Sequence, residues 1–85
     1  MTYQVYILES HKTGRNYIGM TSDIPTRLRF HNLGLNASTE NGRPWRVIWE
    51  SEEYDSKTEA TNMEKRLKKL GATRFMKDQT LLDKI

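Results

Sequence analysis

The apolar positions follow a two-residue period early in the chain and a helical period later. Residues 3–9 (Tyr-Gln-Val-Tyr-Ile-Leu-Glu) are rich in aromatic and β-branched types, as a strand requires. Tyr3, Val5 and Ile7 take one side of an extended chain; Gln4, Tyr6 and Leu8 take the other. Apolar residues on both sides predict a central strand. Residues 10–15 are polar and include Gly14, which predicts a hairpin connection, with residues 16–20 returning. A turn centred near Lys12-Thr13 sets Tyr6 opposite Gly19, with Tyr17 diagonal on the same face. A slip of one residue would part the two tyrosines.

Ser22 or Asp23 caps a helix with Pro25 in its first turn. Ile24, Leu28 and Leu35 or Phe30 supply its apolar contacts, and Gly34 ends it. Residues 35–44 have loop composition, and residues 45–50 (Trp-Arg-Val-Ile-Trp-Glu) read as a third strand. Ser56-Lys57-Thr58-Glu59 is a capping box. Ala60, Met63, Leu67 and Leu70 follow at helical spacing up to Gly71, with Glu64 at the border of their stripe. A last helix over residues 73–84 is expected to dock Phe75, Leu82 and Ile85. The order ββαβαα predicts an α/β (α+β) domain: a small three-stranded antiparallel sheet flanked by helices. Residues 1–85 are read as one domain, short for its core.

Charge sharpens this picture. The net charge is +3, but residues 1–56 carry six Lys/Arg against seven Asp/Glu, and residues 57–85 carry eight against four. The later cations include Lys65, Arg66, Lys68, Lys69, Arg74 and Lys77. A basic C-terminal region suits a polyanion such as nucleic acid; an ordinary solvated helix surface is the plainer alternative. There is no cysteine, hence no disulfide or thiolate staple. No secretory leader pattern or membrane-length apolar run occurs, so a cytoplasmic location and no membrane partner are expected. The acidic run Glu50, Glu52, Glu53 and Asp55 lacks the pattern of a calcium loop and reads as exposed turn carboxylates.

Several residues suit phosphodiester hydrolysis. Arg27 and His31, four apart on one helix, share a face. Arg27 can clamp phosphate oxygens with a bidentate cation. Glu64 can hold a hard divalent cation, for which one carboxylate with waters and phosphate oxygens is a usual arrangement. A tyrosine can act as a base if a cation or metal-bound water lowers its pKa. His31 can accept that tyrosine's proton or orient it. Singly, each has a duller explanation: strand tyrosines pack, Arg27 is a surface cation, His31 is a boundary residue, Asn32 and Gly34 end a helix, and Glu64 pairs with Lys68 at i,i+4.

Taken together, Val5-Tyr6-Ile7, Tyr17-Ile18-Gly19, Arg27, His31-Asn32 and Glu64 resemble the GIY-YIG endonuclease superfamily. The likeness covers roughly residues 3–70 and is greatest to small stand-alone members related to the excinuclease nuclease domain. Thr39, Arg43-Pro44-Trp45 and residues 64–68 add to it. The resemblance implies that Tyr6 is the general base for the attacking water and that Tyr17 contacts the water or the scissile phosphate. It makes Gly19 the closing glycine, Arg27 the transition-state cation, His31 a companion of the first tyrosine, and Glu64 the single metal ligand. The implied reaction is hydrolysis of DNA with one Mg²⁺ or Mn²⁺, leaving 5′-phosphate and 3′-hydroxyl ends.

Two departures stand out. Val5 replaces the first motif's glycine. Residues 65–85 contain no asparagine, which many members carry after the glutamate; Gln79 or Asp78 are the candidate substitutes. The expectation is therefore a metal-dependent DNA endonuclease acting by structure or single strand (branched or nicked DNA included) rather than by long sequence. The alternatives are a weak or inactive nucleic-acid-binding module of the same fold, and an interaction domain. Arg43, Arg46, Lys65, Lys68 and Lys69 are expected to hold nucleic acid. Targeting is expected to come from nucleic-acid shape, branch, end or single strand, or else from a protein recruiter, with the chain a monomer or weak dimer.

Overall fold

Strand β1 (Gln4–Ser10) is the middle of a three-stranded antiparallel sheet of order β2-β1-β3, with β2 at Asn16–Thr21 and β3 at Trp45–Glu50. Helix α1 (Ile24–Asn32) follows β2, and helices α2 (Lys57–Leu70) and α3 (Ala72–Asp83) follow β3. The computed structural model describes residues 1–83, without the side chains of residues 80–83. The docking expected of Leu82 and Ile85 lies outside that description.

The bounds of α1 and α2 and the hairpin turn have identifiable reasons. The Asp23 carboxylate caps α1 by accepting from the Thr26 amide at 3.2 Å, and Ser56 caps α2 by accepting from Thr58 and Glu59. Gly34 and Gly71 follow α1 and α2 with φ of 75° and 95°, a region that disfavours a side chain. In the hairpin turn the Ser10 hydroxyl accepts from the Lys12 and Thr13 amides and donates to the Gly42 carbonyl at 2.6 Å. A short 3₁₀ turn, Glu40–Gly42, interrupts the connection before β3.

The period-two pattern of β1 divides the core. Val5 and Ile7 pack with Ala60, Leu67 and Ala72 beneath α2 and α3. Tyr6 and Leu8 pack on the other face with Ile24 and Trp45, beside α1. Burying one such aliphatic side chain contributes about 1.5–3 kcal/mol, so a sheet used on both faces suits a short chain. A bulge in β3 adjusts the pattern. Ile7 pairs with Trp49 but Leu8 pairs with Val47, leaving Ile48 as the extra residue. Ile48 and Trp49 therefore both join the α2–α3 side, while Val47 serves the α1 side. Trp49 meets Phe75 edge-on with ring centroids 4.7 Å apart, which fixes α3 against the sheet.

One open alternative about packing is decided and one expectation is corrected. Leu35 is 62% exposed, because the chain has already left α1 at Gly34; Phe30 is the half-buried one of the two. Leu70 is 39% exposed at the last turn of α2, beyond the stripe formed by Ala60, Met63 and Leu67.

Candidate active site

The hairpin register decides whether the tyrosines meet. Tyr6 pairs with Gly19 and Leu8 with Tyr17, the predicted register. Tyr6 and Tyr17 then lie on one sheet face with ring centroids 6.4 Å apart. A side chain at position 19 would spoil this arrangement. Its Cβ would fall 2.5 Å from Tyr6 Cζ, closer still to the Tyr6 hydroxyl, and 3.0 Å from Tyr17 Cε1. Glycine there is required for side-chain space, since its own φ is unexceptional.

Helix α1 adds the imidazole. His31 is fully buried, and its Nε2 lies 3.0 Å from the Tyr6 hydroxyl. Its ring centroid is 4.8 Å from that of Tyr17. The second ring nitrogen, Nδ1, lies 2.8 Å from Oγ1 of Thr39, which is also fully buried. The Thr39 hydroxyl donates to the Asn36 carbonyl at 3.3 Å. Its oxygen is thereby left to accept from Nδ1–H, and the Nε2 lone pair is left to accept from the Tyr6 O–H. Thr39 is held in place at its own backbone, where its carbonyl accepts from Trp45 Nε1 at 2.7 Å.

Asn32 has a larger part than ending a helix. Its Oδ1 accepts from the Trp45 amide at 2.6 Å and its Nδ2 donates to the Trp45 carbonyl at 3.1 Å. The end of α1 is thus tied to the start of β3, and the segment bearing Thr39 is closed between them. Gly42 completes the enclosure, since a Cβ there would lie 2.9 Å from Trp45 Cε2.

Electrostatics bring in the remaining candidates. Burial pushes the Tyr6 phenol far above its ordinary 10, the nearby Tyr17 and Glu64 reinforce the rise, and Arg27 opposes it. Burial, with Arg27 second, holds His31 below its ordinary 6.5. Arg27 itself lies over the Phe30 ring, 5.1 Å from its centroid. Glu64 is largely sheltered, its side chain 19% exposed, and its ion pair with Lys68 is long at 3.7 Å. Among the described residues no three or more of His, Cys, Asp and Glu are gathered as a metal site. The acidic run from Glu50 to Asp55 accordingly makes none.

Among the protein's own groups, the condition that a cation lower the pKa of Tyr6 is met only in part. Arg27 pulls in that direction, but desolvation is larger. The expected nucleic-acid contacts are dispersed. Arg46 is engaged with Glu9 across β1 and β3, and Arg43 donates to the Glu40 carbonyl at 2.9 Å. Lys65 and Lys69 are exposed on α2 away from its buried stripe, whereas Lys68 shares the flank of Glu64. The substitutes for the missing asparagine also separate. Asp78 lines a cleft with Leu70, Gly71 and Arg74, and Gln79 is the next residue on α3. Within this segment Thr73 reaches β2, donating to Asn16 Oδ1 at 3.5 Å. Thr39 and the Asn32 clamp were the parts hidden from residue-by-residue reading, since a threonine in a polar loop carries no signal of burial.

Residues 2–78 match the family model for the GIY-YIG catalytic domain. The chain is 38% identical over 82 residues to the structure-specific endonuclease subunit slx1 of Schizosaccharomyces pombe. That alignment covers 89% of this chain but 30% of the relative, so this chain spans under a third of that protein's length. A UPF0213 protein of Halobacterium salinarum is 37% identical over 68 residues, which cover 80% of this chain and 87% of that protein. The solution NMR structure of a UPF0213 protein from Bacillus halodurans superposes with a TM-score of 0.56 at 33% identity, covering 95% of this chain and 85% of that one. With the ββαβαα order, the tyrosine register and the match over residues 2–78 in agreement, the chain belongs to the GIY-YIG catalytic domain family.

Proposed function

We propose that this protein is a divalent-metal-dependent endonuclease that hydrolyses phosphodiester bonds in DNA, selecting its target by structure or single strand. The observation that carries this reading is the buried chain from Tyr6 through His31 to Thr39, set beside Tyr17. A fully buried imidazole is an expensive way to fill a small core, and with its proton on Nδ1, toward Thr39, it can take a proton from Tyr6.

Burial raises the pKa of Tyr6, which favours the protonated phenol near neutral pH. Tyr6 therefore acts as a base by passing its own proton on. As a water attacks phosphorus, its proton moves to the Tyr6 oxygen while the Tyr6 proton moves to His31 Nε2. The bond from phosphorus to the 3′-oxygen breaks, the 3′-oxygen takes a proton from solvent, and the water oxygen stays on the 5′-phosphate. His31, neutral because its pKa is held down, is free to receive the proton, and Thr39 steadies the imidazolium through Nδ1–H. Tyr6 is 2% exposed and offers no surface to a nucleotide, which suits a single water as its reactant. Tyr17, half-buried, faces the phosphate, and Arg27 offsets charge developing there.

The donor set fits a hard cation held with few protein ligands. Glu64 supplies one sheltered carboxylate whose ion pair is longer than the roughly 2.7–2.9 Å of a charge-assisted hydrogen bond, so a metal can displace Lys68. A bound Mg²⁺ or Mn²⁺ would supply charge neutralisation at the scissile phosphate.

A weakly active or inactive binding module is the second reading, and the position of Asp78, in a cleft whose lining includes none of Tyr6, Tyr17, Arg27, His31 and Glu64, supports it. Cleavage of a labelled panel (single-stranded, duplex, nicked, flap and four-way-junction DNA) with Mg²⁺, Mn²⁺ or EDTA separates the two. Metal-dependent cutting that is lost in a folded Glu64→Ala protein is the expected result. Binding without cutting under either metal would select the module, and undiminished cutting by Glu64→Ala would remove Glu64 from the chemistry.

A further inference from the structure

Beside the tyrosine cluster lies an open cleft of about 360 Å³ lined by Asn16, Tyr17, Ile18, Lys68, Ala72 and Thr73. One wall is β2, and the other is the junction of α2 and α3. Its size lies near the lower end of the roughly 300–1,000 Å³ typical of small-ligand sites. Its chemistry differs from that of three other clefts. The cleft around Arg43 contains Glu40, the one around Arg27 contains Asp23, and the one around Arg74 and Lys77 contains Asp78. The cleft at Tyr17, like the smaller one at Pro25, Thr26 and Arg29, holds a cation with no carboxylate in its lining, and it adds the neutral polar side chains of Asn16 and Thr73. It also shares a residue, Tyr17, with the site described above.

We infer that this cleft is a subsite for one nucleotide of the substrate strand, receiving the phosphodiester next to the one that is cut. The inference rests on the nuclease reading for its substrate and adds where the strand runs. Lys68 supplies the charge. Its ammonium is held only loosely by Glu64 at 3.7 Å and its side chain is 56% exposed, so it can turn into the cleft at small cost. When a cation occupies Glu64, Lys68 loses its partner, and an adjacent phosphate is the natural replacement. Thr73 and Asn16, already in hydrogen-bond contact, present a hydroxyl and an amide to the sugar–phosphate backbone. The floor, Ile18 and Ala72, is apolar and suits the face of a sugar. Recognition of this kind is blind to base sequence and leaves selection to strand shape.

The test combines three variants with a phosphate walk. Labelled single-stranded oligonucleotides are bound in EDTA, with a neutral methylphosphonate placed at each phosphate in turn, and affinity is read by fluorescence anisotropy across a salt series. Lys68→Ala is expected to weaken binding several-fold and to flatten the salt slope by about 0.7, the share of one phosphate contact on a single strand. One methylphosphonate position should weaken the wild type and cause no further loss in Lys68→Ala. Thr73→Phe, which fills the cleft without changing charge, should weaken binding as well. Arg29→Ala, a charge-matched change on the exposed side of α1, should leave that positional effect in place. If Lys68→Ala behaves as Arg29→Ala does, or every methylphosphonate position is additive with it, the subsite is overturned. Because this readout needs neither metal nor cleavage, the two ideas fail separately. Coupling at one phosphate in a protein that never cuts keeps the cleft and removes the nuclease; cutting with no coupling does the reverse.

Discussion

Replacing Thr39 by valine tests the direction of the proton relay. Valine preserves the branched shape but removes the hydroxyl that accepts from His31 Nδ1–H at 2.8 Å. Both residues are fully buried, so water has no route to replace it. A buried donor left without a partner costs about 1–3 kcal/mol, and a loss of that size should appear as a lowered urea midpoint with an unchanged slope. The effect on rate has a separate origin. Without the Thr39 oxygen, the imidazole can recover a hydrogen bond by moving its proton to Nε2, where it faces the Tyr6 hydroxyl and can no longer accept from it. Loss of general acid–base assistance of this kind costs roughly 10²–10⁴ in rate. Single-turnover cleavage of the preferred DNA, beside ¹⁵N NMR of the His31 ring, reads both consequences. Thr39→Ser retains the hydroxyl and drops a methyl group, at about 1 kcal/mol, and should retain the Nδ1–H tautomer and most of the rate. A Thr39→Val protein that is destabilised yet cuts at the wild-type rate would refute the relay and leave Thr39 as a core residue only.

The other predictions follow from named contacts. Gly19→Ala should lose most cleavage while remaining folded, because the added Cβ displaces the Tyr6 ring, with overpacking costing about 1–3 kcal/mol; an alanine protein of normal activity would contradict the close approach. The folded state holds His31 neutral, so the unfolded chain takes up its proton first as pH falls. The His31 contribution to stability is therefore full above about pH 6.5 and declines below it, and the urea midpoint should fall from that point more steeply than in His31→Phe. For Tyr6 the sign is reversed. The unfolded phenol ionises near 10 and the folded one well above that, so stability falls as pH rises past about 10, and Tyr6→Phe should lack that component. Asn32→Ala removes both hydrogen bonds to Trp45 and should loosen residues 33–44 in hydrogen exchange before the sheet opens; uniform protection would mean that the clamp is redundant.

The local choices of this chain were legible without coordinates. Alternation on both sides of residues 3–9 determined a central strand, because a strand exposes its two faces to whatever packs there. The polar stretch around Gly14 determined the hairpin, and its length determined the register that sets Tyr6 against Gly19. Ser56 and Gly71 marked the ends of α2, since caps are satisfied within a few residues of the chain. Tertiary structure decided what depends on segments distant in sequence. The bulge at Ile48 sends two consecutive apolar residues of β3 to one side, which no period-two pattern contains. Thr39 became the partner of His31 only because Asn32 and Trp45 close the intervening segment over it. The pKa of Tyr6 lay beyond the sequence for the same reason. The sequence shows which charges are available, but burial, the larger influence here, exists only once both faces of β1 are covered.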